Sequence, residues 1–279
     1  MLNQTHLTKK SVILRRSFLF FGLFAISFTP IVLSKTPLTF GVVPQQSAAK
    51  LAEQWQPLLD AWGELANVEF KFATARDIPT FEQRLADGQY DVAYMNPYHF
   101  TLVNKTPGYS AVAHAKDKKI KGILVTRADW SGTVADLADE TIAFPAPRAF
   151  AASIINQSEL AQKNIPIIAK YVGSHDSVYL NVAKGLYPAG GGVMRTFKSL
   201  PEKTQQQLKI LYTTSSYTPH AIAVSHNVPI EAQQALRQTI GALNSNQQAQ
   251  QSFKQLNIKG LQKADDRDWD DIVQLNLSL

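Results

Sequence analysis

Cysteine is missing from all 279 residues, which excludes disulfides, thiolate metal sites, a cysteine nucleophile and a lipid-modified cysteine anchor. Acidic residues are missing from the first 34, a stretch that carries Lys9, Lys10, Arg15 and Arg16. The formal net charge of +6 therefore falls to +2 beyond that stretch. No basic run with interleaved aromatics stands out, so nucleic acid is not an expected partner. No His/Asp/Glu cluster has metal-ligand spacing either, and neither metal nor cofactor is expected. What remains is ordinary globular composition, 45% hydrophobic and 18% charged, long enough for one large or two modest domains.

Residues 1–34 read as an export signal. A basic start precedes the apolar run Ser17–Phe28, Pro30 breaks it, and Ser34 supplies a small residue at a cleavage point. The apolar character continues to Leu33, near the lower bound of ~17 residues for a membrane helix, so an uncleaved anchor is the alternative. Arg15-Arg16-Ser17-Phe18-Leu19 also resembles a twin-arginine motif, but no cofactor signature accompanies it, which favours the general secretory route. On either reading the folded part lies outside the cytoplasm, in the periplasm.

The stretch Asp91–Phe100 organises the rest. Asp91 to Tyr94 reads as a short buried strand, and Asn96-Pro97 as a helix start, Asn being a preferred N-cap and Pro being favoured at the first helical position. A turn of this kind lies at the carboxyl end of a parallel strand, where open α/β sheets hold ligands. Tyr94, Asn96 and Tyr98 converge on it. The pattern repeats at Thr141–Phe144 followed by Pro145-Ala146-Pro147-Arg148-Ala149-Phe150, with a helix to about Gln162. Two such turns suit a ligand clamped between two lobes.

Around these turns the chain alternates strand and helix. Strands are expected at Leu38–Val43, Val68–Phe72, Tyr109–His114, Ile120–Thr126, Ala169–Val172 and Ile210–Tyr212. A helix is expected from Ala48, capped by Ser47, to Leu65, with Pro57 kinking it. Another is capped by Asp77 and closed at Asp87-Gly88. Ser174-His175-Asp176 opens a helix through Lys184, Leu200-Pro201 one to Leu208, and the tail holds helices near 230–243 and 268–277. This alternation implies a mainly parallel sheet with right-handed crossovers. Lys116–Lys119 reads as a solvated turn, with the first crossing between lobes just after it, and Thr213–His220 reads as the return. Lobe 1 is then 35–119 with 217–279, and lobe 2 is 120–216. Tyr217 and His220 are placed at the hinge. Gly190-Gly191-Gly192 lacks the spacing and the Lys of a nucleotide-gripping loop, so close backbone packing explains it better.

From Phe40-Gly41-Val42-Val43-Pro44 onward, through the Asp91–Tyr98 turn, Ala143-Phe144-Pro145 and Gly173-Ser174-His175-Asp176-Ser177-Val178, the chain resembles the substrate-binding proteins of phosphate, phosphite and phosphonate ABC transporters. The resemblance implies an α/β fold of the type II periplasmic-binding class, two lobes joined by two hinge crossings over a ligand cleft. It implies an aromatic wall of Tyr94 and Tyr98, contributions from Gln45 and Gln46, and His175, with Asp176 beside it, at a ligand-contacting position. It also implies backbone donors at Ala149 and Phe150 of the second-lobe helix start, where unpaired N–H groups and the helix dipole favour an anion. Two segments depart from the family pattern. Pro145–Phe150 has no hydroxyl where phosphonate binders carry a Ser/Thr-rich loop, so Arg148 either replaces those donors or points to solvent. Gly185–Pro188 lacks the acidic residues that hold an amino group.

The neighbours His175 and Asp176 do not form the oriented pair that nucleophilic catalysis requires, and no enzyme is expected. The function implied is a monomeric solute-binding protein that delivers a small anion to a permease. The alternative is a sensor component docking a membrane receptor.

Overall fold

The computed structural model describes residues 1–2 and 35–275, and one compact unit begins at Lys35. Residues 3–34 of the expected leader lie outside the described residues. In chain order the elements begin with β1 (Thr36–Val42), α1 (Ala48–Ala66), β2 (Val68–Ala73), α2 (Ile78–Ala86), β3 (Val92–Met95), α3 (Pro97–Val103) and β4 (Tyr109–Ala115). There follow β5 (Gly122–Arg127), β6 (Thr141–Phe144), a π-helical stretch Phe150–Ile155 running into α4 (Asn156–Gln162), β7 (Ile168–Tyr171) and α5 (His175–Ala183). Next come β8 (Ala189–Val193), α6 (Met194–Lys198), α7 (Glu202–Gln205), β9 (Leu208–Thr213) and β10 (Ala221–Ser225). The chain closes with α8 (Ile230–Gln238), α9 (Ile240–Ser245), α10 (Gln247–Gln255), β11 (Leu261–Lys263) and α11 (Asp270–Val273).

The local chemistry of the helix starts is as the residues dictate. Ser47 accepts from the backbone N–H of Lys50, Asp77 from that of Thr80, Asn96 from that of His99 and Ser174 from that of Ser177. Each removes one of the orphan donors that every helix start leaves. α1 runs unbroken through Pro57 and is not interrupted where a proline would cost about 3 kcal/mol. Leu51, Trp55, Leu58, Leu59 and Trp62 are buried along it, and burial of each large side chain contributes about 1.5–3 kcal/mol, which offsets that cost. Asn67 closes α1 in the left-handed region at φ 53°, its N–H bonded to the Gly63 carbonyl, a conformation Asn tolerates.

Two sheets form, in the orders β11-β4-β10-β3-β1-β2 and β7-β6-β8-β5-β9. They are mixed rather than mainly parallel. β1 pairs in parallel with β2 and β3, but β10 lies antiparallel between β3 and β4, and β11 runs antiparallel on β4. In the second sheet β6 is parallel to β7 and β8, while β5 is antiparallel to β8 and β9. The antiparallel strands are mostly those next to the crossings. Chain that has just left or re-entered a lobe comes in from the other lobe, against the direction of the local βαβ units. Ile120 and Tyr217 exchange backbone hydrogen bonds of 2.8 and 2.9 Å as an isolated antiparallel bridge, which ties the two crossings together.

Several expected elements shift. The helix expected from Leu200 to Leu208 is only the single turn α7, because Leu208 already begins β9. The long tail helix divides into α8 and α9, and α10 and the edge strand β11 follow where no element was expected. The Gly190–Gly192 segment forms the buried strand β8. A Cβ at Gly191 would lie 2.1 Å from the Ala152 carbonyl oxygen, and one at Gly190 would lie 2.4 Å from Val178. Side-chain-free backbone is what lets this strand sit against the π-helical stretch and α5.

Candidate ligand-binding cleft

The end of β3 and the start of α3 build one wall of the cleft. Pro97 occupies the first helical position after the Asn96 cap. The Asn96 side-chain amide also donates to the Arg148 carbonyl at 3.0 Å, so this turn touches the second-lobe helix start directly. Tyr94, on β3, stacks on His220 with ring centroids 4.9 Å apart and planes 16° from parallel, and meets Trp55 of α1 at 4.6 Å. Stacked and tilted pairs of this spacing hold aromatic rings in fixed orientations.

Two adjoining cavities open between the sheets. The smaller, about 10 Å³, is lined by Gln45, Asn96, Ala149, Phe150, His175 and His220 among others. That is room for roughly one water. The larger, about 120 Å³, is lined by the aromatic Trp55, Tyr94 and His220, by the aliphatic Leu256, Ile258 and Leu261, and by Arg195, Lys118, Lys119 and Lys121. Gln45 and His220 border both cavities.

Of the residues expected at the site, Gln45, Asn96, Ala149, Phe150 and His175 thus meet around the smaller cavity, and Tyr94 faces the larger. Gln46, Tyr98, Arg148 and Asp176 border neither. Gln46 donates to the Ser199 hydroxyl at 2.7 Å, a contact between the first-strand loop and the end of α6. Tyr98 is buried in the apolar cluster behind the turn. The Arg148 side chain is 42% exposed and lies 3.9 Å from Glu82 of α2. Of the two alternatives for Arg148, this is closer to solvent than to the replacement of the hydroxyl donors. Asp176 lies at the start of α5, and burial raises its carboxyl above the usual range while Lys50 opposes the rise.

The residues that reasoning from the sequence missed are the charged ones. Arg195 projects from α6 and donates to the Gln45 side-chain oxygen. Among the described residues neither Arg195 nor Lys118 is ion-paired. Lys118 sits in the segment expected to be a solvated turn. Instead it is half-buried and its ammonium donates to the Asn257 carbonyl at 2.5 Å. Burial, with Arg195 and then Lys198 adding repulsion, pushes Lys118 down to about 8. The sequence places His220 at the hinge alone, but its ring forms part of both cavity walls and stands 3.1 Å from the Gln45 amide nitrogen.

Both histidines are neutral. Burial first, then the Arg195 charge, pushes His175 down to about 3. The same two causes, followed by smaller repulsions from His99, His175 and Lys118, hold His220 well below its ordinary value. His175 is 1% exposed, its Nδ1 is 3.5 Å from the Thr196 hydroxyl and its Nε2 has no partner. The indole N–H of Trp55, also 1% exposed, has none either. Orphaned buried polar atoms are uncommon in folded proteins and ask for a partner. Chemically the cleft offers a guanidinium, the ammonium groups of Lys118, Lys119 and Lys121, two neutral imidazoles and an indole donor. No group of three or more potential metal ligands occurs among the described residues.

This is the arrangement of a protein that holds a solute between two α/β lobes. PhnD1 from Prochlorococcus marinus, solved with methylphosphonate, matches with a TM-score of 0.79 at 16% identity, over 86% of this chain and 97% of that one. The binding-protein component of a phosphonate ABC transporter from Pseudomonas aeruginosa matches at 0.78 and 16%, over 87% and 86%. XAC2383 from Xanthomonas citri, solved with ATP, matches at 0.69 and 16%, over 86% and 96%. The fold is the two-lobed type II periplasmic-binding fold, with two hinge crossings and a cleft between the lobes. Residues 40–269 match the family described as "ABC transporter, phosphonate, periplasmic substrate-binding protein", and the chain belongs to that family. Its members are solute-binding transport proteins rather than enzymes, they work outside the cytoplasm, and the transporter system implies a permease partner.

Proposed function

We propose that this protein captures a phosphorus oxyanion of the phosphate, phosphite or phosphonate class in the interlobe cleft and presents it to the permease of an ABC importer. The observation that carries the reading is Arg195, a guanidinium that faces the interlobe cavity and is not ion-paired among the described residues. Arg195 is partly buried, and Arg forms bidentate, charge-assisted bonds with phosphorus oxyanions. Two solved structures of the same fold carry a phosphorus ligand, methylphosphonate in one and ATP in the other. Lys118 adds a second positive charge, and the neutral His175 and the Trp55 N–H supply neutral hydrogen-bonding groups.

Lobe 1 in this reading is 35–119 with 217–279, and lobe 2 is 120–216. Closure by hinge motion about the Ile120–Tyr217 bridge expels water and strengthens each polar contact to the ligand. Residues 1–34 act as the leader that takes the protein into the periplasm, where it works as a monomer without nucleic acid. Gln45, Tyr94, Asn96 and His175 contact the ligand or its bound water.

A thermal-shift screen against phosphate, phosphite, sulfate and methylphosphonate tests this. A ligand that binds only the folded state adds about 2.7 kcal/mol of stability at a hundredfold excess over its dissociation constant. A melting shift with a phosphorus oxyanion, reduced in both Tyr94→Ala and His175→Ala, supports the reading. Unchanged affinity in both variants would sink the site.

A further inference from the structure

The two cavities differ in a way that selects among anions. The one at the second-lobe helix start, about 10 Å³, has room for roughly one water and no more. The neighbouring cavity of about 120 Å³ is close to the ~150 Å³ apolar cavity that accommodates a benzene ring. Its lining combines the Trp55–Tyr94–His220 aromatic series and the aliphatic Leu256, Ile258 and Leu261 with the charges of Arg195, Lys118, Lys119 and Lys121. A bare inorganic oxyanion bound here would meet Arg195 and the lysines but would leave the Trp55–Tyr94–His220 and Leu256–Leu261 lining without a partner. An anion with a flat apolar body would fill them and keep its charge on Arg195.

We infer that the solute is an organic anion with a ring-sized apolar body, selected by the Trp55–Tyr94–His220 wall and neutralised by Arg195 and Lys118. The inference rests on the solute-binding reading and narrows its ligand class. The ring packs on the aromatic series and on the Leu256–Leu261 part of the lining, where buried apolar area adds to affinity. The anionic head reaches Arg195, whose planar fork has donors beyond the one given to Gln45. Trp55 is buried against the cavity with an unpartnered N–H, and a ligand acceptor completes it.

The test is calorimetric titration of the purified protein with four probes at pH 7: phosphate, methylphosphonate, phenylphosphonate and phenylacetate. Phenylphosphonate is expected to bind at least tenfold more tightly than methylphosphonate. Ile258→Trp, which narrows the cavity from a half-buried position, is expected to shrink that ratio, with circular dichroism confirming the fold. Methylphosphonate or phosphate binding as tightly as phenylphosphonate overturns the inference and leaves the phosphorus-oxyanion reading standing. Phenylacetate binding while all three phosphorus compounds fail upholds the inference and removes the phosphorus from the function. No heat from any of the four overturns both.

Discussion

Arg195 shows how a single charge defines this site. Its neighbours in the cleft are amides, neutral imidazoles and the lysines Lys118, Lys119 and Lys121, so the charge waits for a partner that the described residues do not supply. A hydrogen bond to a charged group contributes about 1.5–3 kcal/mol, which is roughly a 10- to 100-fold change in affinity. Arg195→Gln is accordingly expected to weaken anion binding by that factor with little change in melting temperature, as read by calorimetry and a thermal melt together. His175 carries a second residue-scale prediction. Its folded value is about 3 against an ordinary 6.5. As the pH falls below 6.5 the unfolded chain takes up the proton first, and stability drops by up to about 1.4 kcal/mol per pH unit. Melting curves between pH 6.5 and 4.5 should therefore fall more steeply for the native protein than for His175→Gln. Parallel curves would mean the imidazole is not held neutral.

Among the elements, β8 decides how closely the second lobe packs. Its glycines let the π-helical stretch approach to a point where a Cβ on Gly191 would lie 2.1 Å from the Ala152 carbonyl. Gly191→Ala should cost about 1–3 kcal/mol by overpacking, readable as a lower urea midpoint at unchanged slope. An unaltered midpoint would show that the backbone has slack there. This crowding was legible in the Gly190–Gly192 run, because that run lacked the features of a phosphate loop. The caps at Ser47, Asp77, Asn96 and Ser174 were legible for a similar reason: a side-chain acceptor next to an apolar-periodic run is local chemistry. Sheet direction was not, since the antiparallel placement of β10 between β3 and β4 depends on how the chain returns from the other lobe. Nor was Arg195, which nothing in its neighbours Met194 and Thr196 marks out from other surface arginines. Lys118 was hidden inside a charge run that reads as solvent-exposed. Their shared cavity joins segments about 75 residues apart in the chain, which no local pattern could reveal.

At the scale of the whole molecule, contacts between the lobes flank the cleft on both sides. On one side Asn96 donates to the Arg148 carbonyl. On the other, Gln46 reaches the Ser199 hydroxyl and Lys50 the Ser199 carbonyl at 2.9 Å. Hinge motion about the Ile120–Tyr217 bridge, as proposed above, would break these bonds. A Lys50→Ala, Gln46→Ala double variant should consequently populate more open protein, seen as a larger radius of gyration in small-angle scattering without ligand. The same radius as the native protein would mean that these bonds do not hold the lobes together. The central claim, that the interlobe cleft takes an organic anion on Arg195, is met most directly by titrating phenylphosphonate into the native protein and into Arg195→Gln. The account predicts one site per chain and at least a tenfold weaker site in the variant. Equal affinity in the two proteins would contradict it.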